Sequence, residues 1–264
     1  MEVSRIFNFS YYCTMGNKFS LKYIKSLQLK KYRQEEQSFC VEGTKSVLEA
    51  LNSPLQVKLI AGTKDFFNQH QHTLQNNEEQ LILGEKDLSK ISSLKNNNTV
   101  LAVVAMPENL EFGIENEWVI AIDSVNDPGN LGTILRIADW YGIHKVICSN
   151  TTVELYNPKV ISSSMGSFTR VKSYYTDLQS FLSKQKAPIL GTYLKGNSVH
   201  DYEFEKTGIL LMGSESHGIS SELEGLVTQK VTIPSGGAAE SLNVAIATAI
   251  VLDNLHRSTN KPIE

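Results

Sequence analysis

Three short blocks gather the residues of this chain that could act on a ligand. The first holds Asp127, Pro128, Gly129, Asn130 and Arg136; the second runs from Gly213 through Glu215, Ser216 and His217 to Gly218; the third holds Ile233, Gly236, Gly237, Ser241 and Asn243. Each follows an apolar run readable as a buried strand and leads into a helix, where open α/β sheets place their ligands. Arg136 lies six residues after Asn130, so the asparagine is expected to cap a helix and the arginine to project from its second turn. Glu215 ends a buried strand, where a carboxylate is costly unless it meets a cation or donors, and Arg136 is its expected partner. The glycines before Ser241 let a ligand or another backbone come close. A surface arginine and two ordinary helix caps would account for Arg136, Glu215 and Ser241 one at a time, but not for the three blocks in this order.

The common nucleotide and hydrolase signatures fail. Gly191 to Gly196 has the outer glycine spacing of a P-loop, but Asn197 stands where the phosphate-binding lysine belongs. Gly129 and Gly132 lack the first half of a dinucleotide fingerprint. Gly213 and Ser216 miss the nucleophile-elbow spacing by one residue. A serine hydrolase using Ser216 and His217 also needs two neighbours on a turn to face each other as nucleophile and base.

The elements that must position these blocks divide the 264 residues in two. A flexible extension is expected over 1–19, with Met15 as an alternative start, and a small α/β domain over 20–106. That domain reads as a basic helix to Tyr32, strands at 38–42, 57–61 and 99–106, and helices at 44–51, 66–74 and 86–94. A polar, acidic linker follows over 107–117. A second α/β domain over 118–264 reads as strands at 118–123, 145–148, 188–194, 208–213 and 230–233. Helices at 131–141, 158–167, 178–183, 220–225 and 242–257 complete it. Near-continuous apolar strands imply a parallel sheet covered on both faces.

Composition excludes several classes. No apolar run is long enough to span a bilayer, so no membrane association is expected. Cys13, Cys40 and Cys148 suggest neither disulfides nor a metal site, which fits a reducing, cytoplasmic setting, and no metal is expected. A net charge of −3 argues against indiscriminate nucleic-acid binding. The first 34 residues nevertheless carry Lys22, Lys25, Lys30, Lys31 and Arg33 among their seven cations against Glu2 alone, an electrostatic footprint for phosphate. A solvated helix face would account for part of that run.

Taken together, Asn130 to Arg136, Gly213 to Gly218 and Ile233 to Ala245 resemble the three motifs of the SpoU branch of the SPOUT RNA methyltransferases. The stretch from Lys31 to Ala50 is similar to the ribosomal-protein-like substrate-binding domain that many members carry. The resemblance implies a mostly parallel α/β sheet with a deep trefoil knot behind that small domain. It implies methyl transfer from S-adenosylmethionine to a ribose 2′-hydroxyl, in ribosomal RNA before transfer RNA, by a homodimer with the final helix at its interface. A noncatalytic RNA-binding protein on the same fold is the remaining alternative. Positions matching the catalytic set are Arg136, Asn130, Glu215, Ser241 and Asn243. Positions matching the cofactor set are Thr192, Leu194, Gly213, Ile233, Leu242 and Ala245. A guanidinium stays protonated in proteins, so Arg136 is expected to hold phosphate and stabilise a developing alkoxide, oriented by Glu215, while Ser241 and Asn243 fix the ribose. Ser216 departs from the glycine common after the motif-two glutamate, which stiffens that loop.

Overall fold

The computed structural model describes residues 16–74, 79–94 and 97–259, with side chains from Leu21 onward. Most of the expected N-terminal extension, with Cys13 and Met15, lies outside the described residues. The chain forms two compact units, Met1–Met106 and Pro107–Glu264.

In the first unit the order is α1 (Gly16–Ser26), α2 (Lys30–Glu36), β1 (Ser38–Glu42), α3 (Thr44–Leu51), β2 (Val57–Gly62), α4 (Lys64–Gln69), β3 (Glu79–Ile82), α5 (Glu85–Ile91) and β4 (Val100–Ala105). The sheet runs β1-β4-β2-β3, with β4 antiparallel to β1 and β2, and β3 parallel to β2. Ile24, Leu27, Leu59, Leu88, Leu101 and Val103 fill one side of it.

Three expectations change here. The single basic helix is two, because the chain turns at 27–29. The helix expected over 66–74 begins earlier, where the Thr63 hydroxyl accepts from the Phe66 amide, and ends at Gln69. Strand β3 was not anticipated: its outward-facing Glu79, Gln80 and Ile82 give no apolar run.

In the second unit the order is β5 (Trp118–Ile122), α6 (Pro128–Trp140), β6 (Lys145–Ser149), α7 (Pro158–Ser164), β7 (Lys172–Thr176), α8 (Leu178–Leu182), β8 (Ile189–Ser198), β9 (Gly208–Met212), α9 (Ser221–Glu224), β10 (Gln229–Thr232) and α10 (Val244–Thr259). The six strands run β10-β8-β9-β5-β6-β7, and every pairing is parallel. The central strands β5 and β9 are buried along their whole length, as near-continuous apolar strands require. Helices α6 and α7 meet at Gly132, where a side chain would run into the Val160 carbonyl at 2.5 Å.

The expected linker instead belongs to the second unit. The Asn109 side chain accepts from the Tyr175 amide at 2.9 Å and donates to the Tyr175 carbonyl at 2.8 Å, while Phe112 lies edge-on to Tyr174. Lys145 donates to the Gly113 carbonyl and pairs with Glu117. The acidic composition reads as a linker, but the segment covers β7, an edge strand whose free amides and carbonyls would otherwise invite another chain. Asn109→Ala should cost about 1 kcal/mol for each bond lost. It should also speed hydrogen exchange at the Tyr175 amide, read by mass spectrometry with the wild type alongside.

Candidate active site

The three blocks converge at the C-terminal ends of β5, β8, β9 and β10. Asp127, not Asn130, caps α6: its Oδ1 accepts from the Asn130 amide at 3.0 Å, and Pro128 fills the first turn. Partial desolvation pushes the Asp127 carboxyl up, but the Asn130 amide and the Lys159 ammonium outweigh it and hold the group below the usual carboxylate range. Asn130 is thereby released from capping, and its side chain points across to the other blocks.

Asn130 Nδ2 donates to Glu215 Oε1, and Asn243 Nδ2 donates to Asn130 Oδ1 at 2.9 Å. Asn243 also caps α10, its Oδ1 accepting from the amides of Ala245 and Ile246. One carboxamide, Asn130, therefore joins segments that lie 85 and 113 residues away in the chain. Ser241 precedes the helix and is exposed, so it is not the cap of α10.

Arg136 does not meet Glu215. It sits on the exposed flank of α6, and among the described residues its guanidinium has no hydrogen-bond or ion-pair partner. Six residues of helix separate it from Asn130 by about 9 Å along the axis, and the amide of Asn130 reaches the carboxylate first.

A cavity of about 1030 Å³ opens beside this network, lined by residues of β8 and of the second and third blocks. Thr192, Leu194, Gly213, Ile233 and Leu242 line it, as do Glu215 and Ser241. Ala245 does not: it is buried under the first turn of α10, and Ala247 and Val251 face the cavity instead. Asn130, Asn243 and Arg136 stand outside the lining.

The wall at Gly213 is tight. Ser214 and Gly218 exchange backbone hydrogen bonds at 3.0 and 2.9 Å, with Gly218 at a φ of +68°. A side chain on Gly213 would collide with the Gly218 carbonyl carbon at 2.1 Å. Ser216 and His217 are both exposed on this turn, and among the described residues no hydrogen bond joins them, so the geometry of a nucleophile and its base is missing.

Two residues went unremarked in the sequence. Asp123 is buried at the end of β5, where its carboxylate accepts from the Ser220 amide at 2.8 Å and the Ser124 hydroxyl at 2.9 Å, tying the second block to the first. The signal was a carboxylate closing a buried strand, as at Glu215. Lys230 lines the cavity with its ammonium 4.3 Å from the centre of the Tyr193 ring, a pairing between neighbouring strands that nothing local announces.

Of the cations expected to meet RNA, Lys22, Lys25, Lys30 and Lys31 are exposed. Arg33 is not: it is 2% exposed, and its Nη1 donates to the carbonyls of Leu27 and Gln28, both at 2.8 Å. Those carbonyls lie in the turn just after α1, so the arginine completes the turn rather than facing solvent.

Among the described residues no group of His, Cys, Asp and Glu is arranged to hold a metal, and no helix is long and apolar enough to cross a membrane.

Comparison with known proteins gives the site a context. A profile described as the SpoU rRNA Methylase family matches residues 117–253, and one described as an MRM3-like substrate binding domain matches residues 18–102. The chain is similar to the 23S rRNA (guanosine(2553)-2′-O)-methyltransferase of Bacillus subtilis, 33% identical over 88% of this chain and 93% of that protein. A solved TrmH-family protein from Porphyromonas gingivalis superposes with a TM-score of 0.83 at 36% identity, covering 90% of this chain and 96% of that one. An rRNA methyltransferase from Sinorhizobium meliloti, solved with S-adenosylmethionine bound, superposes with a TM-score of 0.82 at 29% identity, covering 94% of this chain and 97% of that one.

Proposed function

The chain belongs to the SpoU rRNA methylase family, and we propose that it methylates a ribose 2′-hydroxyl of ribosomal RNA. Transfer of a methyl group from S-adenosylmethionine to an RNA 2′-hydroxyl is the activity of its relatives and of this chain. Ribosomal RNA is the finer reading. It is supported by the Bacillus subtilis relative, which matches over nearly the full length of both chains and acts on 23S rRNA by name.

The observation that carries the reading is the joining of Asn130, Glu215 and Asn243 at the rim of the cavity. The cavity suits S-adenosylmethionine in size and chemistry. It is large enough for a drug-sized ligand, and its wall at Gly213 is a turn packed too tightly to take a side chain. Thr192, Leu194, Gly213, Ile233 and Leu242 would hold the cofactor, which supplies an electrophilic methyl group when bound.

The chain's own residues do the rest by position. Asn243 and Glu215 lock the Asn130 carboxamide, and Asn130 in turn keeps Glu215 at the cavity rim. Ser241, exposed at the cavity edge, offers a hydroxyl to the target ribose. Arg136 is charged and exposed, and so can engage a phosphate beside that ribose. It disperses the charge that grows on the 2′-oxygen as its proton is lost to solvent. Positioning and electrostatics then supply most of the rate, with no covalent enzyme intermediate. Lys22, Lys25, Lys30 and Lys31 supply a phosphate-binding surface on the first unit.

The active form in this reading is a homodimer in the cytoplasm. The apolar side of α10, formed by Val244, Thr248, Val251, Leu252 and Leu255, is already buried within the chain, so that face is not what a second copy covers. What remains outside is Ile246 on α10 and Trp140 on the adjoining α6, the latter 83% exposed. In this reading Trp140 is the side chain that a second copy covers, aromatic residues being enriched at protein interfaces. Sedimentation at twice the chain mass is expected, with Trp140→Glu shifting the protein toward the single chain.

The deciding experiment incubates the protein with methyl-labelled S-adenosylmethionine and separated ribosomal and transfer RNA, followed by nucleoside analysis. Label in a 2′-O-methyl nucleoside of ribosomal RNA is the expected result. Label confined to transfer RNA would overturn the substrate, and cofactor binding without transfer to any RNA would favour a noncatalytic binder.

A further inference from the structure

The turn between α1 and α2 is held more firmly than its exposure requires. Leu27 is fully buried beneath it, Gln28 Nε2 donates to the Ile91 carbonyl at 2.9 Å, and the buried Arg33 donates to both Leu27 and Gln28 carbonyls. Burying a guanidinium is expensive unless its hydrogen bonds fix something specific. What this turn fixes is a pair of exposed apolar side chains one helical turn apart. Leu29 is 60% exposed and Tyr32 37% exposed. Neither helps to fill the core, and Leu29 caps α2 without a side-chain hydrogen bond.

Cations surround this pair in the sequence. Lys22 and Lys25 are exposed on α1, and Lys30 and Lys31 are exposed on the first turn of α2. Lys31 Nζ lies 5.8 Å from the Tyr32 ring centre and 3.7 Å from Glu35 Oε1 in an open, screened pair. An exposed aromatic ring with an ammonium beside it and further lysines along the same surface is complementary to a nucleobase attached to a phosphate chain. Ring stacking takes the base and the lysines take the backbone.

We infer that Tyr32, presented by the Arg33-clamped turn with Leu29 beside it, is a stacking platform for one unpaired nucleobase of the RNA substrate. The inference rests on the proposed RNA methylation and adds to it a single-stranded or looped element, bound by the first unit. Tyr32 is here a recognition residue with no part in the chemical step.

The test measures equilibrium binding of the full chain to two probes of equal length and charge, a short oligoadenylate and an abasic oligoribonucleotide. Wild-type protein should prefer the oligoadenylate by about tenfold, the size of one aromatic–base stack. Tyr32→Ala should erase that preference, Tyr32→Phe should keep it, and Lys25→Ala should weaken both probes alike while flattening the salt dependence. With the unmethylated substrate RNA in hand, Tyr32→Ala should raise KM and leave kcat unchanged.

Equal binding of the two probes by the wild type, or a preference that survives Tyr32→Ala, overturns the platform while leaving the methylation reading intact. Failure of the wild type to bind either probe removes both the platform and RNA binding by this unit. In that case label transfer to RNA, measured separately, decides the methylation reading.

Discussion

Arg136→Ala should lower the rate of methyl transfer by about 100- to 1000-fold, the usual loss when one preorganised charge donor is removed from an active site. S-adenosylmethionine binding should stay near the wild-type value, because Arg136 does not line the cavity. That separation makes the experiment informative. Calorimetry reports the cofactor, and single-turnover transfer reports the chemistry. Folding should be unaffected, since the side chain is exposed and has no partner among the described residues. Arg136→Lys keeps the charge but loses the planar fork that binds a phosphate through two parallel hydrogen bonds, so it should recover only part of the activity. Full activity in the lysine variant would reduce the role of Arg136 to that of a simple cation. Loss of cofactor binding in the alanine variant would place Arg136 in the cofactor site instead.

Gly213→Ala should be equally damaging by a different route. The added carbon would lie 2.1 Å from the Gly218 carbonyl carbon and 2.3 Å from both the Gly218 oxygen and the Ile219 amide nitrogen. All three are backbone atoms of the turn that Ser214 and Gly218 close, so no side chain can swing aside. The turn must open, carrying Glu215 away from Asn130 and unmaking the cavity wall. Destabilisation of about 2–4 kcal/mol is expected for overpacking of this kind, with cofactor affinity falling at least about tenfold for each ~1.4 kcal/mol lost from the binding geometry. Gly225→Ala is the matching control. Gly225 has an ordinary helical φ of −68° and nothing within 4 Å of the added carbon, so stability should hold or rise slightly. A Gly213→Ala protein that melted and bound cofactor like the wild type would mean that the turn has a second conformation of nearly equal energy.

Sequence alone determined the elements whose signals are local. Strands such as Trp118–Ile122 and Gly208–Met212 are unbroken apolar runs of five residues between small or polar breaks, and burial on both faces demands nothing else. The first two blocks were legible for the same reason: each sits where such a run stops, whereas the third follows β10, in which only Val231 is buried. Two of the edge strands were not legible: β7 and β3 are half wet and show no apolar run.

Only the tertiary structure decided the pairings. Glu215 could have met Arg136 or Asn130, and both residue types suit a carboxylate. The choice fell to Asn130 because Asp127 took over the capping of α6 and left its side chain free to cross to the second block. Arg33 reads as one more cation in a basic run, yet the turn at 27–29 draws it inward to satisfy two carbonyls. Residues 107–117 read as a linker until β7 is placed at the sheet edge and Asn109 is found bonded along it. In each case residue type stated what a group can bind. Which partner it binds depended on the chain returning across tens of residues, a choice made by sheet order and packing, on which local sequence carries no periodicity.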